Sequence, residues 1–131
     1  MIKKIILSLT ILISIIACSQ EAQPEPFDPG LPPEFPHVFM GNAYVGGEPI
    51  KQGITIYAKF GESLSQIGET ISGGRYVNVL VAPKNSKETK ATVTFYMKTD
   101  DGEVKAKETY KLQKVVEPNI VNLELNFNSY P

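Results

Sequence analysis

Few residues of this sequence are suited to catalysis, metal binding or disulfide formation. Its 131 residues include one Cys, one His and no Trp. A single Cys cannot form an intramolecular disulfide, so a folded domain in this chain must be held by apolar packing and hydrogen bonds. The lone histidine, His37, has neither the ligand partners of a zinc site nor a nucleophile to activate. We therefore expect no enzymatic activity, no cofactor and no metal site, and we expect His37 to be solvated.

The chain also lacks a large excess of positive or negative charge. The chain has 13 Lys and Arg against 14 Asp and Glu. Loss of the first seventeen residues, argued below, would remove two lysines and leave a net charge of 11 − 14 = −3. Such a chain has no basic face for nucleic acid. It also has no contiguous polybasic segment that would hold it to anionic lipid.

The first seventeen residues have the pattern of an export signal. Residues 1–4 (MIKK) are positively charged, and residues 5–16 form an apolar run that only Ser8, Thr10 and Ser14 interrupt. This run is shorter than the ~20 residues that a permanent membrane-spanning helix needs. A small residue, Ala17, stands before Cys18, and the composition then becomes polar. These features predict a signal peptide over 1–17.

Residues 15–18 (IIAC) resemble the lipobox of bacterial lipoproteins. The resemblance implies cleavage after Ala17, lipidation of the Cys18 thiol and usually acylation of the new amine. Two or three acyl chains anchor a protein stably, whereas one chain binds only marginally. We therefore expect an extracytoplasmic protein anchored to the cell membrane. Ser19 would suit the outer membrane if the organism has one. The alternatives are an ordinary secretory signal peptide and a retained transmembrane anchor.

The segment after Cys18 is rich in proline and acidic residues. Six of the eighteen residues 19–36 are Pro, and all four charged ones are acidic. Proline cannot continue a helix and removes hydrogen-bond donors from a strand. The composition predicts that 18–36 is a lipidated, disordered tether, with a contour of at most about 55 Å at ~3.1 Å per residue.

Residues 37–131 contain seven short stretches with the alternating pattern of half-buried strands, separated by turn residues. They are 38–45, 54–60, 66–71, 76–82, 91–98, 104–112 and 121–127. The sequence Thr99-Asp100-Asp101-Gly102 between the fifth and sixth stretches is the strongest hairpin signal. The pattern predicts an all-β domain, a single seven-stranded antiparallel β-sandwich of Greek-key type.

Two strands have especially clear patterns. In the fourth stretch we expect Val77, Val79 and Val81 to share one face. In the last stretch one set of alternate residues is apolar and the other polar, which predicts a buried and a solvent-facing side. The apolar set is Val121, Leu123, Leu125 and Phe127, and the polar set is Asn122, Glu124, Asn126 and Asn128.

Residues 41–58 (GNAYVGGEPIKQGITIYA) resemble the opening of transthyretin-like or carboxypeptidase-regulatory-like sandwich domains. Residues 72–76 (SGGRY), 93–96 (VTFY) and 106–109 (AKET) are similar to later parts of that pattern. The resemblance implies a fold more than a function, because its motifs are turns and core positions. Some relatives hydrolyse 5-hydroxyisourate with a C-terminal Tyr-Arg-Gly-Ser. This chain ends Asn128-Ser129-Tyr130-Pro131, so that activity does not carry over.

Four tyrosines fall on or near polar strand faces, where a ring can stack on a sugar or on a protein partner. They are Tyr44, Tyr57, Tyr76 and Tyr96. The alternative is ordinary cross-strand packing.

One carboxylate, Glu108, falls on an apolar strand face, where an unpaired charge would be costly. A bulge near Lys107 would rotate it outward, or hydrogen bonds or a Lys would satisfy it. An isopeptide site using Glu108, Lys59 and either Asn122 or Asn126 is a further alternative.

These observations predict a non-catalytic surface lipoprotein that binds a protein or glycan, or spaces other envelope components. An accessory lipoprotein subunit of an envelope complex is the alternative, and an enzyme is a second one. We expect a membrane and an envelope protein or glycan as partners, and no nucleic acid or small-molecule cofactor.

Overall fold

The computed structural model describes residues 34–131 of this chain. The expected signal peptide, the lipidated Cys18 and most of the tether lie outside the described residues. The described part is all-β, and its only helix is a single 3-10 turn at Glu88–Lys90. Its strands are β1 (His37–Val45), β2 (Glu48–Pro49), β3 (Thr55–Phe60), β4 (Ser63–Leu64), β5 (Gly68–Ile71), β6 (Arg75–Val81), β7 (Thr92–Thr99), β8 (Gly102–Lys111), β9 (Asn119–Asn122) and β10 (Leu125–Phe127).

These strands form one curled, largely antiparallel sheet, a half-barrel. Hydrogen bonds connect the strands in the order β10-β1-β6-β5-β3-β7-β8, and the short strands β2, β4 and β9 pair beside this path. All seven predicted strand stretches are confirmed. The last of them is divided into β9 and β10, and both pieces pair with β1 in parallel, so the expectation of a purely antiparallel sheet is wrong at this edge.

The inner face of the curl holds one hydrophobic core. Aromatic rings fill its centre: Phe39 contacts both Phe95 and Tyr110 edge-to-face, with centroids 5.0 Å apart in each pair. The predicted alternation of β3 is confirmed, because Ile56, Ala58 and Phe60 are buried. The predicted Thr99–Gly102 hairpin is also confirmed, since these two residues pair at the start of the β7–β8 ladder.

The prediction of which β6 residues face the core is wrong at the start of the strand. Tyr76 is fully buried together with Val79 and Val81, whereas Val77 is only half-buried. Asn78 has a positive φ of 62°, and the β1–β6 register shifts beside it. A bulge of this kind inserts a residue and reverses the side-chain alternation. The tyrosine therefore points inward at the position where strict alternation would have placed it outside.

The apolar residues of the last strand lie on the core side, as predicted, but only two of the four are buried. Leu125 and Phe127 are buried, whereas Val121 and Leu123 only pack against the core margin. The strand is interrupted where it passes Gly41, whose φ is +150°. A Cβ at Gly41 would lie 2.5 Å from the carbonyl oxygen of Leu123, so only glycine permits this close approach.

Glu108 lies at the seam where the two edge strands β8 and β10 meet. A register shift between β7 and β8 around Phe95 shows that β8 bulges there, as one of the alternatives predicted. The half-buried Glu108 carboxylate accepts hydrogen bonds from Asn126 N and Asn126 Nδ2, both at 2.7 Å. The isopeptide alternative is not supported, because Lys59 binds Glu103 instead. Glu108 therefore joins the edges of the half-barrel non-covalently.

The expectation that His37 is solvated is wrong. His37 is 1% exposed; its ring stacks on Phe39 and is tilted relative to Tyr110, with ring centroids 6.4 and 6.3 Å away. Asn119 Nδ2 lies 3.2 Å from His37 Nδ1. Burial lowers the pKa of His37 below its ordinary 6.5, and a hydrogen bond to the Gln113 backbone opposes this in part.

Candidate functional site

Two of the four predicted tyrosines meet on the outer face of the sheet. Tyr57 on β3 and Tyr96 on β7 are direct cross-strand partners, and both are half-buried. Their rings stack with centroids 5.5 Å apart and an interplanar angle of 20°. The inward side chains on either side of them, including Ile56, Ala58 and Phe95, are buried. Strand alternation therefore fixes the pair on the outside of a rigid ladder.

A lysine and a glutamate fix this aromatic pair. Lys59 follows Tyr57 by two residues, so it projects from the same face of β3. Its Nζ lies 4.3 Å from the Tyr96 ring centroid and 3.2 Å from Glu103 Oε1. The Tyr57 hydroxyl donates to the other carboxylate oxygen of Glu103. Tyr57, Tyr96, Lys59 and Glu103 together form what we call the tyrosine cluster.

The hydrogen bonds of the tyrosine cluster also fix its protonation states. The Tyr57 and Lys59 hydrogen bonds lower the pKa of Glu103 below its usual value. The hydrogen bond to Glu103 raises the pKa of Lys59. Partial burial, followed by the contact with Glu103, raises the pKa of Tyr57. At neutral pH the cluster therefore carries one positive and one negative charge and a neutral phenol.

A groove of about 430 Å³ lies beside the tyrosine cluster. Its walls include Tyr57, Lys59, Leu64, Ser65, Ile67 and Lys98. Tyr96 does not line it: Tyr96 lies on the β7 side of β3, whereas Leu64 lies on the β4 side. Tyr57 therefore both stacks on Tyr96 and lines the groove.

The groove is notable for exposed aliphatic side chains. Leu64 is 63% exposed and Ile67 is 67% exposed. Both belong to the connection from β3 to β5, which contains the short strand β4 and in which Ser65 Oγ accepts a hydrogen bond from Ala58 N at 2.8 Å. This bond ties the connection to β3 and holds the two aliphatic side chains beside Tyr57. A second depression of about 500 Å³ shares Thr55, Ile67 and Lys98 with the groove and extends it.

The structure does not bring the other two predicted tyrosines to this site. Tyr44 is half-buried on β1, opposite Pro49 and Asn126, and the strands β6 and β5 lie between β1 and β3. The expectation that Tyr76 is exposed is wrong, because its side chain is fully buried. The Tyr76 hydroxyl donates to the Leu123 carbonyl at 2.6 Å, and burial raises its pKa. Tyr76 is therefore a structural residue.

The cluster and its groove are suited to binding. The groove offers one aromatic face, two aliphatic side chains and two amines, which can contact a ligand without activating a nucleophile. Among residues 34–131, no group of three His, Cys, Asp or Glu side chains could hold a metal ion. No helix in the same range is long and apolar enough to cross a membrane.

Sequence reasoning named two residues of this site and missed the rest. The period of two in β3 could have indicated Lys59 as a neighbour of Tyr57, and the β7–β8 hairpin places Glu103 opposite Lys98. Leu64 and Ile67 could not be identified, because an exposed aliphatic residue in or beside a strand cannot be distinguished from a core residue in the sequence. The β3–β7 register was also out of reach, since more than thirty residues separate the partners Tyr57 and Tyr96.

No family model, no curated protein and no solved structure matches this chain. The resemblances to a lipobox and to transthyretin-like domains stay predictions.

Proposed function

We propose that this chain is a non-catalytic surface lipoprotein, anchored through lipidated Cys18, whose β-domain binds a protein or glycan partner. The observation that carries the proposal is the tyrosine cluster beside a groove with exposed Leu64 and Ile67. Exposed apolar side chains next to a fixed aromatic ring are typical of interaction surfaces. The anchor rests on the sequence pattern of residues 1–18, and the membrane is the outer one if the organism has two.

The finer fold is part of this proposal. We take the domain as a Greek-key β-sandwich of the transthyretin-like kind. The single core inside the curled sheet and the confirmed strand stretches support this assignment. A sandwich of this size would display its outer faces and its loops, and the tyrosine cluster occupies one such face.

An accessory subunit of an envelope complex is the second candidate. Exposed Leu64 and Ile67 favour it, because aliphatic side chains contribute to protein interfaces by being removed from water. In that case the same face would be permanently covered by a larger protein, and the lipoprotein would co-purify with it in fixed stoichiometry.

The anchor is tested by Cys18→Ala in the native host. We expect the variant to leave the membrane fraction or to accumulate as uncleaved precursor, while the control Ser19→Ala remains a cleaved membrane protein. Mass spectrometry of the N-terminal peptide identifies the acylated residue. A Cys18→Ala protein that stays in the membrane with residues 1–17 attached would refute lipidation and favour a retained helix.

The binding face is tested by affinity capture from the native envelope together with a glycan array. We expect the wild-type lipoprotein to retain a protein or glycan that Tyr57→Ala loses. Tyr44→Ala, which removes a ring of similar exposure elsewhere on the sheet, should retain it. Equal capture by Tyr57→Ala and wild type would contradict the proposed face.

A further inference from the structure

We infer that the groove beside Tyr57 binds an extended segment of a protein partner in which an apolar side chain lies next to acidic residues. This inference rests on the proposed function and names the partner's chemistry. Its three supports are the aliphatic walls of the groove, the charge of its rim and the rigidity of its aromatic wall.

The groove walls favour an apolar side chain of a polypeptide over a sugar. Leu64 and Ile67 are more than 60% exposed, and Tyr57 lines the same groove. A sugar ring can stack on the tyrosine, but its hydroxyl groups would lose water against the two aliphatic side chains without new hydrogen bonds. A Leu, Ile or Phe of a partner would instead lose apolar surface to all three walls.

The rim of the groove favours acidic neighbours of that side chain. The lining residues of the groove itself include two lysines, Lys59 and Lys98, and no carboxylate, and the depression that extends it adds one carboxylate, Asp100. Lys59 forms a salt bridge with Glu103, whereas the exposed Lys98 forms none within residues 34–131, although Glu103 is its cross-strand neighbour. Lys98 is therefore the amine of the groove that remains available to a carboxylate of a partner. A carboxylate bound beside Ile67 would lie near Lys98. A basic segment would be repelled at the same point.

The aromatic wall of the groove is already fixed before a ligand arrives. Tyr57 is held by its stack on Tyr96 and by the hydrogen bond from its hydroxyl to Glu103. A ring held in this way loses little conformational freedom on binding. Tyr57 therefore serves as a preorganised anchor, and Leu64, Ile67 and Lys98 supply the contacts beside it.

The test is selection of a random dodecapeptide library on phage against the full chain, purified in detergent. We expect the selected peptides to be enriched in Asp and Glu next to Leu, Ile or Phe. Binding of one selected synthetic peptide, measured by fluorescence anisotropy, should weaken at least tenfold in Leu64→Ser or Ile67→Ser. Lys98→Glu should weaken it similarly, more at low than at high ionic strength.

Val116→Ser is the matched control, since Val116 is 86% exposed on the loop between β8 and β9. It should leave peptide affinity unchanged. Selected peptides that are basic, peptides that bind the groove variants as well as wild type, or no enrichment would each overturn the inference. Glycans that bind wild type but not Tyr57→Ala would overturn it too, while leaving the proposed function intact. If instead wild type and Tyr57→Ala bind envelope proteins and glycans equally, the proposed function itself is refuted.

Discussion

The hydroxyl group of Tyr76 offers the sharpest test of the fold, because it bonds the carbonyl of Leu123 where the last strand is interrupted. Tyr76→Phe removes this one donor and keeps the ring. A buried acceptor left without its partner costs about 1–3 kcal/mol. Since Leu123 is only partly buried, we expect the lower part of that range, about 1–2 kcal/mol.

For a domain of roughly this size, 1 kcal/mol lowers the melting temperature by about 4–8 °C. Thermal unfolding followed by circular dichroism should therefore show Tyr76→Phe melting about 4–16 °C below wild type. Tyr44→Phe is the control, since the Tyr44 hydroxyl makes no hydrogen bond within residues 34–131. Its melting temperature should stay close to that of wild type.

A spectrophotometric titration of the phenols adds an independent readout. Burial, and then the charge of Glu108, raise the pKa of Tyr76. We expect one tyrosine to resist ionisation at alkaline pH until the domain unfolds, and this resistant phenol to be absent from Tyr76→Phe. Equal stability of the Tyr76→Phe and Tyr44→Phe variants would refute the inward placement of Tyr76.

Three further predictions concern the core and the start of β1. Gly41→Ala should destabilise the domain much more than Gly47→Ala: both have positive φ, but an added Cβ meets a backbone oxygen at 2.5 Å in the first and nothing within 4 Å in the second. Leu125→Ala should cost about 2–5 kcal/mol in urea unfolding and Asn122→Ala less than about 0.5; equal costs would contradict the half-buried strand. Stability should be full above about pH 6.5 and fall as the pH drops, because the unfolded chain protonates His37 more readily than the folded one. His37→Gln should remove this part of the pH dependence, and an unchanged slope would count against it.

Local patterns predicted the strands of this domain because each depended on a few neighbouring residues. The alternation of β3 and the turn residues of the Thr99–Gly102 hairpin are examples, and both are confirmed. The same reasoning failed at Tyr76, since one residue with positive φ, Asn78, reverses the alternation. Asn tolerates that conformation, but most Asn residues do not adopt it, so the bulge could not be predicted from the residue type.

Long-range pairing could not be predicted from the sequence. His37 looked like a solvated residue because it follows a proline-rich segment, yet pairing of β1 with β6 and β9 buries it beside Asn119. The parallel pairing of the last strand with β1 was missed for the same reason. Tyr57 and Tyr96 were recognised as exposed aromatics, but only the β3–β7 register makes them one site.

The edge of the half-barrel explains why a partner would use its outer face rather than its open side. An unpaired edge strand can add a strand from another chain. Along β8, however, Lys105, Lys107 and Lys111 are exposed, and the bulge disturbs the ladder. The carboxylate of Glu108 also accepts a hydrogen bond from the backbone N–H of Asn126 on the facing strand. That N–H is therefore not available to pair with an added strand. The lysines, the bulge and the occupied donor all disfavour pairing at this edge. The groove beside β3 has no such protection, and there the half-buried Tyr57 lies next to the exposed side chains of Leu64 and Ile67.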